Sequence, residues 1–129
     1  MIMKGAVCLF ADLIRDISLP CVAESIQASS YGTHGKIRGN LQIKGIESLD
    51  LFSKNVLLVD DIFDSGNTIA KKKPKSLKSL VLLSKNISDL EYRPDYLLFS
   101  IENQFVVDYG LDYKEYYRGL KGIYLLKTL

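Results

Sequence analysis

Residues 56–59 read Val-Leu-Leu-Val and run straight into Asp60 and Asp61. A short, unbroken apolar run is how a strand buried on both faces looks, and such strands belong to parallel sheets covered on each side. The abrupt change to acid puts polar chemistry just past the strand's C-terminal end, where open α/β sheets bind ligands. Residues 80–83, 96–99 and 123–126 repeat the apolar pattern between polar connections. Four such runs predict an α/β domain with a largely parallel sheet.

A chain of 129 residues suffices for one domain with one core, and no internal repeat or linker divides it, so residues 1–129 read as a single unit. Residues 6–15 are apolar almost all round and predict a well-buried helix, stopped by Pro20. Residues 21–28 read as a strand. Residues 29–40 carry Gly32, Gly35 and Gly39 with few apolar side chains, a composition that predicts a mobile loop. About eleven residues separate Thr68 from Leu80, with Pro74 among them, so any crossover helix there is a stub. Lys71, Lys72, Lys73 and Lys75 crowd that stretch and read as a solvated surface run.

Charge, hydropathy and cysteine usage weigh against some classes of function. A net charge of +2 argues against a nucleic-acid binder that works through bulk charge. No apolar run is long enough to span a bilayer, and residues 1–13 read as buried structure instead of a signal peptide, because Asp12 interrupts them and no small-residue cleavage site follows. Cys8 and Cys21 form no CxxC and His34 is the single histidine, which disfavours zinc and fits two reduced thiols in a cytoplasmic protein.

Residues 59–68, Val-Asp-Asp-Ile-Phe-Asp-Ser-Gly-Asn-Thr, carry the chemistry. Asp60, Asp61 and Asp64 repel one another unless a metal ion, hydroxyl donors or water compensates. Gly66 lets the backbone come close to a ligand, Ser65 and Thr68 offer hydroxyls, and consecutive N–H groups entering a helix make an anion nest. An anion site beside an acidic pair fits a ligand with phosphate at one end and a diol with Mg²⁺ at the other. A plain strand-to-helix turn, with Asp64 or Ser65 as N-cap, would explain one acid but not three. The pattern is neither GxxxxGK[ST] nor GxGxxG.

On these residues the stretch resembles the phosphoribosyl-pyrophosphate (PRPP) motif of the type I phosphoribosyltransferases. The segment Asn103-Gln104-Phe105-Val106-Val107-Asp108-Tyr109-Gly110-Leu111-Asp112-Tyr113, followed by Tyr117-Arg118, is similar to the purine-binding segment of hypoxanthine-guanine phosphoribosyltransferases. Met3-Lys4-Gly5 and Ser29-Ser30-Tyr31-Gly32 fall where that family has its pyrophosphate loop and its lid. The resemblance runs from about Lys4 to Leu129.

The resemblance implies a mostly parallel central sheet flanked by helices, and transfer of the phosphoribosyl group from PRPP to hypoxanthine or guanine with Mg²⁺, giving IMP or GMP and pyrophosphate. Asp60 and Asp61 would hold the ribose hydroxyls, directly or through the metal. Asp64 would accept a proton from the purine as general base, and Ser65, Gly66, Asn67 and Thr68 would bind the 5′-phosphate. Lys4, Gly5 and Arg118 would bind pyrophosphate, with a non-proline cis bond at Met3–Lys4. Lys85 would donate to the purine 6-oxygen, Phe105 would stack on the base, Val106 would read its edge, and Asp112 would hold a second Mg²⁺ through water. Ser30 and Tyr31 would close as the lid and exclude water. Read without the family, Lys85, Asp112 and Arg118 are ordinary surface charges, and Phe105 is ordinary core.

Three features depart from the family pattern. The chain begins almost on the pyrophosphate loop, which implies a reduced hood over the base and surface that a second copy could cover. The helix after the PRPP loop is cut short. Asp108 stands where relatives usually have glycine, and fits less well if the position needs positive φ. Two other readings remain at this level: a PRPP- or nucleotide-sensing regulator, which has the lysine run as its sequence support, and a degenerate remnant.

Overall fold

The short apolar runs and the segments between them resolve into eight strands and one helix across residues 1–30, 41–62, 72–85, 93–102 and 104–126, which the computed structural model describes. β1 (Ile2–Met3) pairs in parallel with β2 (Ile26–Ser30), Ile2 opposite Ile26. β3 (Leu41–Lys44) adds to β2 in antiparallel sense. A second sheet has the order β4 (Asn55–Ile62), β5 (Ser76–Lys85), β6 (Tyr96–Ile101), parallel throughout, with Val59 opposite Leu80 and Leu83 opposite Phe99. β1 lies close to β4 and so brings the two sheets together. β7 (Val106–Val107) and β8 (Tyr124–Leu125) form a separate antiparallel ribbon.

The helix α1 (Val7–Asp16) follows from apolar residues at helical spacing: Ala6, Leu9, Phe10 and Leu13 all join one core cluster with Val59, Leu82, Leu83 and Leu111. Of the helix itself only Leu9 is fully buried, and Asp12, Arg15 and Asp16 face solvent. The expected all-round burial is therefore corrected to a one-sided stripe. The backbone N–H of Ile17 donates to the Leu13 carbonyl at 3.1 Å, and Ile17 is already extended, so the chain leaves the helix before it reaches Pro20. A second cluster, Ile26, Ile46 and Leu58 with Val56 and Leu77 against it, fills the space between β2, β4 and the connection after β3.

Four further expectations change. The strand expected over residues 21–28 begins only at Ile26, and β3 forms where no strand was expected. The run at 123–126 gives a two-residue strand outside the parallel sheet. β6, expected to be buried on both faces, is exposed from Tyr96 to residue 100 and forms an edge of its sheet among the described strands. Hydropathy reports what a strand could bury, while cover depends on what the connections supply. Asp95 fastens the start of this edge: its carboxylate accepts from the Ser79 backbone N–H at 2.8 Å and pairs with Lys78 at 2.6 Å. The lysine run is partly absorbed into structure, since Lys72 donates to the Glu47 carbonyl at 3.1 Å. No helix among the described residues is long and apolar enough to cross a membrane.

Candidate active site

β4 delivers its acids by burying the residues before them. Leu58 and Val59 are in the core, and Asp60 is buried behind them with its Oδ1 accepting the Asp61 backbone N–H at 2.9 Å. Asp61, the next residue, is half-buried and lies against the loop that follows β1. The Met3–Lys4 bond in that loop is cis, as the resemblance implied. A Cβ on Gly5 would overlap the Asp61 carboxylate, and a Cβ on Gly110 would overlap the Gly5 carbonyl oxygen. Two glycines thus allow three separate stretches of chain to stack: the Lys4-Gly5 loop, the end of β4 and the turn after β7.

That turn bends tightly. Asp108, Tyr109 and Gly110 follow one another at φ of 82°, 54° and 96°. For the first two this is the left-handed region that costs an L-residue about 1–2 kcal/mol. Asp108 does occupy a positive-φ position, and its short polar side chain is put to use. The carboxylate is 0% exposed, and Oδ1 accepts the Leu120 backbone N–H at 2.8 Å. The Gly110 N–H donates to the Arg118 carbonyl at 3.1 Å and the Arg118 guanidinium donates back to the Gly110 carbonyl at 2.6 Å, zipping the turn to residues 118–120.

The same turn is tied to α1. The Tyr109 hydroxyl donates to Asp12 Oδ2 at 2.5 Å, and Arg15 pairs with the other oxygen. Burial, then the bond to Asp12, pushes the Tyr109 phenol up to about 12 from 10.0. The protonated phenol is the form the fold favours, so its contribution is complete below pH 10.0 and is lost as pH rises toward about 12. Ultraviolet titration of the intact protein should show a phenol ionising near pH 12, and Tyr109→Phe should remove that phase. Persistence of the phase in the variant would break the assignment.

Charges converge on this stack. Arg118 pairs with Asp112 at 2.7 Å and Glu115 at 3.3 Å, and Glu115 reaches Lys4 at 2.9 Å. The Lys4 and Arg118 cations hold the Glu115 carboxyl below the usual carboxylate range. Asp112 also accepts the Glu115 backbone N–H through Oδ2 at 2.7 Å. Beside them lies a cleft of about 110 Å³ lined by Asp61, Ile62, Phe105, Val106, Leu111 and Asp112. The Phe105 ring, half exposed, meets Tyr113 edge-on with centroids 5.8 Å apart.

Of the residues singled out in the sequence, the structure gathers Lys4, Gly5, Asp60, Asp61, Phe105, Val106, Asp112 and Arg118. Lys85 ends β5 two positions past the residue paired with Ile62, which places it on the same sheet edge as Asp60 and Asp61. Ser30 ends β2. Asp64, Ser65, Gly66, Asn67, Thr68 and Tyr31 lie outside the described residues. Glu115, Tyr109 and Asp12 were not expected at the site. Glu115 and Lys4 are 111 positions apart, and no local pattern marks either as the other's partner.

Comparison with known proteins agrees with this geometry. The family profile of the phosphoribosyl transferase domain matches residues 2–114. The hypoxanthine-guanine phosphoribosyltransferase of Aquifex aeolicus is 37% identical, over 98% of this chain and 75% of that protein. The crystal structure of a hypoxanthine-guanine phosphoribosyltransferase from Bacillus anthracis superposes with a TM-score of 0.86 at 34% identity, covering 98% of this chain and 79% of that one. The Trypanosoma cruzi hypoxanthine phosphoribosyltransferase, solved with its product IMP, gives a TM-score of 0.81 at 34% identity over 98% and 72%. With its stacked loops, its paired acids near the end of β4 and these relatives, the chain belongs to the phosphoribosyltransferase family, beside the hypoxanthine and hypoxanthine-guanine enzymes.

Proposed function

We propose that this chain is a purine-salvage hypoxanthine-guanine phosphoribosyltransferase of the cytoplasm. It would transfer the 5-phosphoribosyl group from PRPP to hypoxanthine or guanine and release pyrophosphate with IMP or GMP. The observation that carries the reading is the cleft in which Asp61, near the end of β4, faces Phe105, Val106 and Asp112 beside the Lys4 and Arg118 cations. An acidic ribose end, an aromatic base end and a cationic diphosphate end meet at one place.

In this reading the bond from ribose C1 to the base nitrogen forms as the bond from C1 to pyrophosphate breaks, and the leaving group keeps the electron pair. Asp64 takes the proton the base gives up. Lys4, the Gly5 backbone and Arg118 receive the diphosphate, and Arg118 is suited to it by its planar fork of donors. Ser65, Gly66, Asn67 and Thr68 hold the 5′-phosphate. Phe105 stacks on the base, Val106 meets its edge, and Lys85 donates to the 6-oxygen, which favours hypoxanthine and guanine over adenine. Ser30 and Tyr31 close over the reacting centre.

The donor set suits Mg²⁺. Among the described residues no three acids form a ready-made cage, and Mg²⁺ is commonly held by one or two carboxylates with substrate oxygens and water. Asp60, Asp61 and Asp112 supply hard oxygen ligands of that kind. The ion would offset negative charge building on the departing pyrophosphate.

The exposed edge strand β6 supports association with a second copy of the chain. Incubating the protein with PRPP, Mg²⁺ and either hypoxanthine or guanine tests the function directly, with Asp64→Asn as control. Appearance of IMP or GMP, lost in the control, supports it. A folded protein that binds PRPP or GMP without turnover would favour a sensor instead.

A further inference from the structure

The two cations assigned to pyrophosphate are already bridged by one side chain. Glu115 Oε2 lies 2.9 Å from Lys4 Nζ and 3.3 Å from an Arg118 guanidinium nitrogen. Lys4 stands on the loop after β1 and Arg118 past β7, so this single carboxylate oxygen spans two otherwise separate parts of the site. Asp112 takes a share of Arg118 at 2.7 Å, leaving two positive and two negative side chains in a neutral group.

We infer that the Glu115 carboxylate is an internal competitor for pyrophosphate: it occupies Lys4 and Arg118 as an incoming phosphate oxygen would, and must swing away when the diphosphate binds. This rests on the assignment of Lys4 and Arg118 to pyrophosphate made above. Two features fit a carboxylate that is displaced and not one that is permanent. The Lys4 and Glu115 side chains are 58% and 66% exposed, and exposed ion pairs are weak enough for a multiply charged ligand to break. The Glu115 backbone N–H is fixed by Asp112 Oδ2 at 2.7 Å, so the side chain can rotate out while the turn stays in place. Such a competitor loosens the hold on substrate and product alike and eases release of pyrophosphate.

The test is calorimetric titration of the full chain with inorganic pyrophosphate in the presence of Mg²⁺. Glu115→Gln keeps the size of the side chain and removes its charge, and should tighten binding by about two- to fivefold. The gain should shrink at high salt as exposed charges are screened. Glu115→Ala should move the affinity in the same direction. A residue that merely supports Lys4 and Arg118 would give the opposite result, so unchanged or weaker binding in both variants overturns the inference. Arg118→Ala separates competition from the assignment of the cations. If it weakens binding while the Glu115 variants do not tighten it, competition alone is wrong. If it leaves the affinity unmoved, or no pyrophosphate binds to the unmodified chain, the assignment of the cations is wrong and the inference falls with it.

Discussion

Replacing Asp64 with asparagine should lower kcat for IMP formation by about 10²–10⁴-fold, the range a positioned general base supplies. Asparagine keeps the shape of the side chain and one carbonyl oxygen but cannot take up a proton. The affinity for IMP, measured by calorimetry, should stay close to that of the unmodified chain, because the product no longer has the proton to give. A variant with undiminished kcat would remove Asp64 from the chemistry. A variant that loses both turnover and IMP binding would point to damage in the phosphate loop instead.

The second large effect is structural. Gly110→Ala puts a methyl group onto the Gly5 carbonyl oxygen at a residue whose φ is 96°. The backbone conformation alone costs about 1–3 kcal/mol, and the obstacle is main chain, which cannot rotate aside as a side chain would. Against a net stability of about 5–15 kcal/mol for a natural domain, the urea midpoint should fall clearly. If the loop yields instead, Lys4 and Gly5 move away from Asp61 and the affinity for PRPP falls. Gly119→Ala is the matched control, since its added Cβ meets nothing within 4 Å. A Gly110→Ala protein with normal stability and normal PRPP affinity would refute the close stacking of the three stretches.

These two sites differ in how visible they are before the structure. The acids from Asp60 onward stand out in the sequence, because carboxylates crowded at the end of an apolar run repel one another and need a ligand or a metal to offset them. The positions of α1, β4 and β5 followed from hydrophobic spacing. Burial was harder to read. Residues 96–99 look as apolar as 80–83, yet only the latter are covered, because a strand's neighbours are not written in its own composition. The four residues of β3 follow a glycine-rich stretch and owe their extended form to register with β2, a contact invisible at the level of propensity. Glu115 and Tyr109 were missed for a related reason. Their partners, Lys4 and Asp12, lie 111 and 97 positions away.

Asp108 shows a different limit. Aspartate was expected to fit less well than glycine if the position needed positive φ, and the backbone there does have φ of 82°. Aspartate is among the few residues that tolerate this region through local hydrogen bonds, and here the carboxylate satisfies the Leu120 N–H. The residue type alone gave the cost without the compensation.

The bridge between Lys4 and Glu115 also bears on how the protein comes into being. Lys4 leaves the ribosome first, yet its partner is made 111 residues later, which at ~5–20 residues per second is a delay of roughly 5–20 s. During that interval β4 and β5 can pair and α1 can cover Val59, but the turn that carries Gly110 and Arg118 does not yet exist. The sheet can thus form before the turn that joins Lys4 to Arg118 through Glu115. Under the proposed function, binding of PRPP should accordingly stabilise only chains whose synthesis has passed Arg118, and cleavage before that point should abolish binding while sparing much of the sheet.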